Sequence, residues 1–288
     1  MSAPRARPGL CVLAAAAALL MAACSQHTGA PAAGAAPAKQ AAATASFDAH
    51  DLTGTWSHPG GARDSPARLN APHVEHPDSN WSTEKLPFTA AGRKVFDSNI
   101  PTGGPRQVKG RVSPNDPRDT GNPLGLYRMI QYSGGTRVFE MGMMNGNLVQ
   151  LFSVGRVFRV IYTDGRPAPE GIVGPYWYGQ SVGRWEGDTL VVTTASLDDR
   201  QWLDGYGTPI SLDAKVEERW RRVAPDEVQM TITVMDPTYY SQPWTSPPEV
   251  FRRAKKDVAL DEIIDAPLDI VGYGKEILAP ASDKAKKK

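Results

Sequence analysis

The feature that most constrains this chain is a series of short apolar and β-branched segments, separated by turn signals, that begins near Thr136. Asn-Gly and Asp-Gly pairs readily adopt positive φ and close tight hairpins. Alternating segments joined by such turns are typical of an antiparallel meander, here of about seven or eight strands. The turn signals are Asn145-Gly146, Val154-Gly155, Asp164-Gly165, Glu186-Gly187 and Pro225-Asp226.

Helical periodicity is confined to two short segments. Residues 89–98 predict a helix with Thr89 as its N-cap, and residues 248–254 predict a second. The segment DLTGTW at 51–56 resembles the Gly-x-Trp opening of lipocalin-like barrels. Closure of a meander into a barrel removes exposed strand edges. We therefore expect a mostly β fold in which an antiparallel meander closes into a lipocalin-like barrel, with a sandwich as the alternative.

The N-terminal residues resemble a bacterial lipoprotein signal. A basic start precedes an apolar core that is too short to span a bilayer, and Ala22 and Ala23 stand directly before Cys24. The resemblance implies that residues 1–23 are removed and that Cys24 carries the lipid. We expect a lipid-anchored protein of the cell envelope, on the periplasmic face of the outer membrane, with Ser25 compatible with that sorting. An ordinary secretory signal is the alternative.

The rest of the chain divides by composition. Residues 24–46 are rich in Ala, Pro and Gly and predict a flexible tether, whereas residues 47–274 predict one β-barrel domain and residues 275–288 a basic disordered tail. The chain has 32 Lys and Arg against 31 Asp and Glu, and without Arg5 and Arg7 of the signal the ratio is 30 to 31. This balance argues against a nucleic-acid partner.

The distribution of Cys and His excludes several chemistries. Both cysteines belong to the signal, so the folded part has no disulfide or thiol nucleophile. No imidazole follows His76, so a Ser-His-Asp triad would require the N-terminal segment to fold back. His73 and His76 share a face only on a helix, which Pro77 disfavours. With no Gly-rich phosphate loop present either, we expect neither a metal nor a nucleotide cofactor.

Charged residues beside the turns allow two interpretations. Asp164 is explained by a simple turn, but Arg159 and Arg166 could also form, with Asp164, a basic rim at the barrel mouth that grips a carboxylate. Glu186 and Asp188 could act as acid and base. Their place between two strand patterns instead predicts a hairpin tip with both carboxylates in water.

The segment KVEERWRR predicts a buried carboxylate. Alternation places Glu218, Trp220 and Arg222 on one strand face. If that face turns inward, Glu218 must find a partner, either Arg222 or an arginine of a neighbouring strand. A second interpretation makes Glu218 a substrate-facing acid with a raised pKa.

Two turn-rich segments concentrate aromatic side chains. PYWYGQ contains Trp177 and Tyr178, and QWLDGYG contains Trp202, Asp204 and Tyr206. Aromatic walls with a few polar groups are typical of a small-molecule pocket, although they also fit loops that plug a barrel end. We expect Trp177, Trp202 and Tyr206 to line one pocket. Asp204 is the candidate proton-transfer residue, with Tyr178 or Tyr206 as hydrogen-bond donor.

Several segments between residues 115 and 244 resemble a family of bacterial secreted β-proteins. The resemblance implies no reaction and no ligand. Members of that family often carry Cys at the position of Gly121 and His at that of Ile210, so imidazole chemistry is in doubt in this chain. The matching segments are NDPRDTGNPLGLYR, VIYTDGRPAP, QSVGRWEGDTLVV, WLDGYGTPIS, EERWRR and DPTYYSQPW.

Three functional hypotheses follow. The first is an anchored barrel that binds a small hydrophobic or aromatic molecule, with or without a carboxylate. The second is a cofactor-independent lyase, isomerase or hydrolase that uses Asp, Glu and Tyr in the same pocket. The third is a structural envelope protein, which would need a large exposed apolar surface.

Overall fold

The computed structural model describes residues 46–59, 78–101, 106, 115–134, 136–168, 170, 174–256, 258 and 260–261. Several predictions fall outside the described residues. They are the predicted signal, Cys24, the predicted tether up to residue 45, the motif with His73 and His76, and the predicted C-terminal tail. Within the described ranges, no helix is long and apolar enough to cross a membrane.

Strands dominate the described part of the chain. Two α-helices, α1 (Ala90–Ser98) and α2 (Leu126–Tyr132), and a 3₁₀ turn (Pro117–Thr120) accompany them. The strands are β1 (Gly54–Ser57), β2 (Phe139–Met144), β3 (Asn147–Phe152), β4 (Val157–Tyr162), β5 (Gln180–Glu186), β6 (Thr189–Ala195), β7 (Lys215–Ala224), β8 (Glu227–Met235), β9 (Trp244–Thr245) and β10 (Glu249–Arg253).

The strands close into a barrel, as the sequence predicts. Strands β1 to β8 follow one another around the sheet, and β10 joins β8 to β1 by antiparallel pairing on both sides. Strand β9 lies outside this ring and pairs only with the end of β8. The closed ring is a mixed barrel of nine strands within the described residues, consistent with a lipocalin-like fold.

Most of the predicted turns close hairpins, but one does not. Asn145 and Gly146, with φ of 51° and 78°, join β2 to β3 in a two-residue turn. The hairpins β3–β4, β5–β6 and β7–β8 also form at the expected places. The Asp164-Gly165 turn, however, is followed by a strand parallel to β4. Parallel strands need a crossover, so β4 and β5 are not joined by a hairpin as β3 and β4 are.

Of the two predicted helices, one forms. Helix α1 begins after Thr89, whose hydroxyl accepts a hydrogen bond from the Gly92 amide at 3.0 Å, as an N-cap does. The helix predicted over residues 248–254 is wrong, because this segment is β10. Its buried residues, Glu249 and Phe251, alternate with period two, and pairing to both β1 and β8 overrides the local helical pattern.

Side chains fill the barrel interior. The interior contains buried aromatic residues, namely Trp56, Phe139, Trp220 and Phe251. The ring centroid of Phe139 lies 5.1 Å from that of Phe251 and 5.9 Å from that of Trp220. Helix α2, which the sequence did not predict and whose residues are all buried, contributes Tyr127 to the interior. The centre is therefore a packed core, and candidate ligand space lies at the wall and ends of the barrel.

Candidate functional site

The barrel wall is incomplete between β4 and β5. Strand β4 pairs with β3 from Val157 to Ile161, but with β5 only at Ile161 and Tyr162. Before β5, the Tyr176 amide donates to the Ser196 carbonyl at 2.9 Å, and Gly179 turns the chain with φ of 62°. These contacts hold residues 176–179 away from β4 and leave a cleft beside its first four residues.

Aromatic side chains line this cleft, which has a volume of about 570 Å³. Phe158 is 61% exposed and Tyr176 is 45% exposed, whereas Trp177 and Tyr178 are half-buried. We call this space, bordered by residues 158–162 and 176–181, the aromatic cleft. Its five aromatic residues are Phe158, Tyr162, Tyr176, Trp177 and Tyr178.

Two ion pairs stand on the rim of the aromatic cleft. The Arg166 guanidinium lies 3.6 Å from the Tyr162 ring centroid and pairs with Asp164 at 2.6 Å. Arg200 lies over Trp177 at 4.9 Å and pairs with Asp198, also at 2.6 Å. The side-chain hydrogen bonds from these arginines lower the pKa of both aspartates. Both arginine charges on the rim are thus already paired.

The structure separates the two arginines of the predicted basic rim. Arg159 is buried in the barrel interior and binds Glu218 through both terminal nitrogens, at 3.1 Å and 2.9 Å, whereas Arg166 is on the surface. The reason is the alternation of β4, which turns Phe158 and Tyr162 outward and Arg159 inward. Arg159 still lines the cleft, from the side of the barrel interior.

Glu218 forms a buried ion pair, which is one of the two interpretations that the sequence left open. Its partner is Arg159, because Arg222 pairs instead with Asp51 at 3.2 Å. Glu218 also accepts hydrogen bonds from Tyr127 at 3.1 Å and from the Trp220 indole at 2.8 Å. Burial raises the pKa of Tyr127 well above its ordinary value. Glu218 lines none of the three cavities described in this section, so the geometry favours the structural ion pair over a substrate-facing acid.

Asp204 holds two loops together and does not face a cavity. It is fully buried and accepts the Ser79 hydroxyl and the Asn80 amide, both at 2.6 Å. The amides of Tyr206 and Thr208 also donate to it, at 3.0 Å and 3.3 Å. Both oxygens are occupied by structural donors, so the geometry favours a structural role for Asp204 over the predicted proton transfer.

Trp177, Trp202 and Tyr206 do not line one common cavity among those described in this section. Trp202 and Tyr206 are each 5% exposed and do not border the aromatic cleft, whereas Trp177 does. Tyr178 lies in the cleft wall and also borders a smaller cavity of about 190 Å³. Burial raises the pKa of Tyr178 to about 12, so it stays protonated at neutral pH and can donate a hydrogen bond.

Sequence reasoning missed Phe158 and Tyr162. Strand β4 reads VFRVIY, in which Phe158, Val160 and Tyr162 occupy the outward positions and the charged Arg159 is turned inward. An antiparallel strand with one face in water usually carries polar residues there. This exposed apolar alternation was the available signal for a site on the outer surface.

The hairpin tip at Glu186 and Asp188 is confirmed as a solvated turn. Glu186 pairs with Arg184 and Arg219, at 2.7 Å and 2.8 Å, and the Asp188 side chain is 64% exposed. A cavity of about 300 Å³ lies nearby under residues 48–53, where His50 stacks on Trp185. Among the residues the structure describes, no group of three His, Cys, Asp or Glu side chains could hold a metal ion.

No family model, curated protein or solved structure matches this chain. Its function is therefore argued from the geometry of the aromatic cleft.

Proposed function

We propose that this chain is a lipid-anchored envelope protein that binds a small aromatic or hydrophobic molecule in the aromatic cleft. The observation that carries the proposal is the concentration of five aromatic side chains around a space of about 570 Å³. Ligand pockets commonly measure roughly 300–1,000 Å³ and are lined by apolar and aromatic groups with few polar ones. Tyr178 supplies a polar group that can orient a ligand.

Exposed apolar surface points to the same place. Large hydrophobic side chains that face solvent are uncommon in the described ranges, and Phe158 and Tyr176 are two of them. Both border the cleft. Exposed apolar residues that converge on a concave surface favour a binding site over a scattered surface feature.

The candidate acid-base groups favour binding over catalysis. Asp204 and Glu218 are buried with structural partners, and neither borders the cleft. Burial raises the pKa of Tyr178 to about 12, so at neutral pH it stays protonated and can donate a hydrogen bond but cannot act as a base. The alternative, a cofactor-independent enzyme, would require an acid-base pair at the cleft.

Arg159 would be a charged donor close to a carboxylate bound in the cleft. The Arg159 Nε has no hydrogen-bond partner in the described structure, although the other two guanidinium nitrogens bind Glu218. Because Glu218 already compensates the Arg159 charge, we expect a carboxylate to add little affinity. Comparing 2-naphthoate with 2-naphthol measures that contribution directly.

Calorimetric titration tests the binding proposal. The full-length chain, purified in detergent, is titrated with 2-naphthol, and chain-free detergent provides the blank. We expect saturable binding that Phe158→Ala and Tyr176→Ala each weaken. Met144→Ala is the matched control, because Met144 is 50% exposed and borders none of the cavities described above. Binding that is absent, or unaffected by both cleft variants, would contradict the proposal.

The lipid anchor has a separate test. The signal resemblance places the lipid on Cys24, so Cys24→Ser should move the chain from the membrane fraction to the soluble fraction. Mass spectrometry of the N-terminal peptide should show acyl chains on Cys24 in the unaltered protein only. Retention of the Cys24→Ser chain in the membrane fraction, or an unmodified Cys24, would refute the anchor.

A further inference from the structure

The edge of β4 that borders the aromatic cleft lacks a strand partner. Successive residues of a strand direct their N–H and C=O groups alternately to its two sides. Strand β3 takes the groups on one side of β4, while β5 pairs only from Ile161 onward. Two of the four residues from Val157 to Val160 therefore direct their backbone groups to the side where β5 does not pair, and residues 158–160 of this stretch line the cleft. Within the described ranges, no hydrogen bond reaches these groups on that side.

In the part of the chain that the structure describes, the residues of this edge carry no lysine or proline that would protect it against pairing. Proteins protect open edges with lysine, proline, bulges or a covering loop. Here the outward side chains are Phe158 and Val160, and none of the four residues is lysine or proline. The one charge, on Arg159, is turned into the barrel and compensated by Glu218. Phe158 leaves the edge apolar where it meets solvent.

Aromatic side chains line the same cleft as the open edge. They are those of Tyr176, Trp177 and Tyr178. In strand addition, main-chain hydrogen bonds supply affinity, and pockets for alternate side chains supply specificity. Four residues of extended chain span about 13 Å at roughly 3.3 Å per residue. A compact aromatic molecule would contact the rings but could not satisfy the row of backbone groups.

We propose that the ligand of the aromatic cleft is an extended peptide that adds a strand to β4 at residues 157–160. This inference rests on the proposed function and specifies its ligand class as a peptide with aromatic or apolar side chains at alternate positions. The peptide backbone pairs with the open edge of β4. Its side chains pack against Phe158, Tyr176 and Trp177.

The decisive probes are two blocked tetrapeptides with identical side chains. One is acetyl-Ala-Phe-Ala-Phe-amide, and the other carries N-methyl groups on its four residues, which removes the donors. We expect the first to bind the full-length chain and the second to bind at least roughly tenfold more weakly, as expected for the loss of one or two hydrogen bonds. Phe158→Lys should weaken the first peptide, and Met144→Lys is the control.

Amide hydrogen exchange distinguishes backbone pairing from ring contacts, because contacts with aromatic side chains alone should not slow exchange at the β4 amides. Bound peptide should slow exchange at backbone amides among residues 157–160 that face the cleft, whereas 2-naphthol should leave them unchanged. Equal binding of both peptides, with 2-naphthol also bound, would overturn strand addition and leave the proposed function intact. If neither peptide nor 2-naphthol binds, both proposals fail. Slowed exchange that grows with protein concentration without peptide would overturn the inference in favour of contact between two copies.

Discussion

Arg159 and Glu218 form a two-point ion pair across the barrel interior, with Arg159 Nη2 2.9 Å from Glu218 Oε1 and both side chains almost fully buried. Strand β4 supplies the arginine and β7 the glutamate, with β5 and β6 between them. The pair therefore fastens the interior side of β4 at the place where the wall beside it is open. We infer that it holds the β4 edge in position while leaving the outward face free.

Removing one member of this pair should destabilise the barrel strongly. Glu218→Gln leaves the Arg159 charge buried without compensation, which costs about 3–5 kcal/mol of unfolding free energy. Glu217→Gln is the matched control. It lies next in sequence on the other face of β7, 28% exposed, and should change stability by less than about 1 kcal/mol. Urea denaturation measures both; similar losses for the two variants would contradict the assignment.

Asp204→Asn should affect stability and not ligand binding. The variant replaces an accepting oxygen by an NH₂ group opposite the Ser79 hydroxyl and the Asn80 amide. We expect a loss of about 1–3 kcal/mol. Affinity for 2-naphthol, measured by calorimetry well below the melting temperature, should stay unchanged. Lost binding in a variant of normal stability would mean that Asp204 belongs to the site after all.

Gly179 should determine the shape of the cleft wall. At its φ of 62°, an added Cβ would stand 2.7 Å from the Ala195 carbonyl oxygen, so Gly179→Ala must displace residues 176–179. Gly187→Ala provides the control, since its φ is 56° but no atom lies within 4 Å of the added Cβ. Both variants should lose about 1–2 kcal/mol from backbone strain. Only Gly179→Ala should lose more than this and also bind 2-naphthol more weakly.

Tyr178 should titrate late in alkaline solution. Its pKa in the folded protein is about 12 against an ordinary 10.0, so the unfolded chain releases this proton first as pH rises. The contribution of Tyr178 to folding stability is complete below about pH 10 and is lost as pH approaches about 12. Ultraviolet titration of the protein and of Tyr178→Phe isolates the missing phenol. Subtracting the second titration curve from the first gives the titration of Tyr178. A midpoint near pH 10 in this difference curve would show that Tyr178 is not buried as described.

Local chemistry explains what the sequence could predict. The Asn145-Gly146 turn and the Thr89 N-cap depend on neighbouring residues alone, and both form as expected. The Asp164-Gly165 turn also forms locally, with Gly165 at a φ of 82°. No local signal states where the next strand will pair, however, so the parallel crossover and the gap beside β4 were not predictable from turn residues.

Distance along the chain explains what the sequence missed. The structural role of Asp204 could not be recognised from the sequence, because its donors Ser79 and Asn80 lie more than a hundred residues away. The pairing of Glu218 was predictable from strand alternation, but its partner was not, because Arg159 is 59 residues distant. Burial removes both carboxylates from the site, and only the fold reveals that burial.

The most direct test of the central claim is to map 2-naphthol onto the protein by backbone amide chemical shifts. We expect perturbations confined to the residues that line the aromatic cleft, within 158–162 and 176–181. Perturbations centred instead on His50 and Trp185, at the other cavity, or none at saturating concentration, would contradict it.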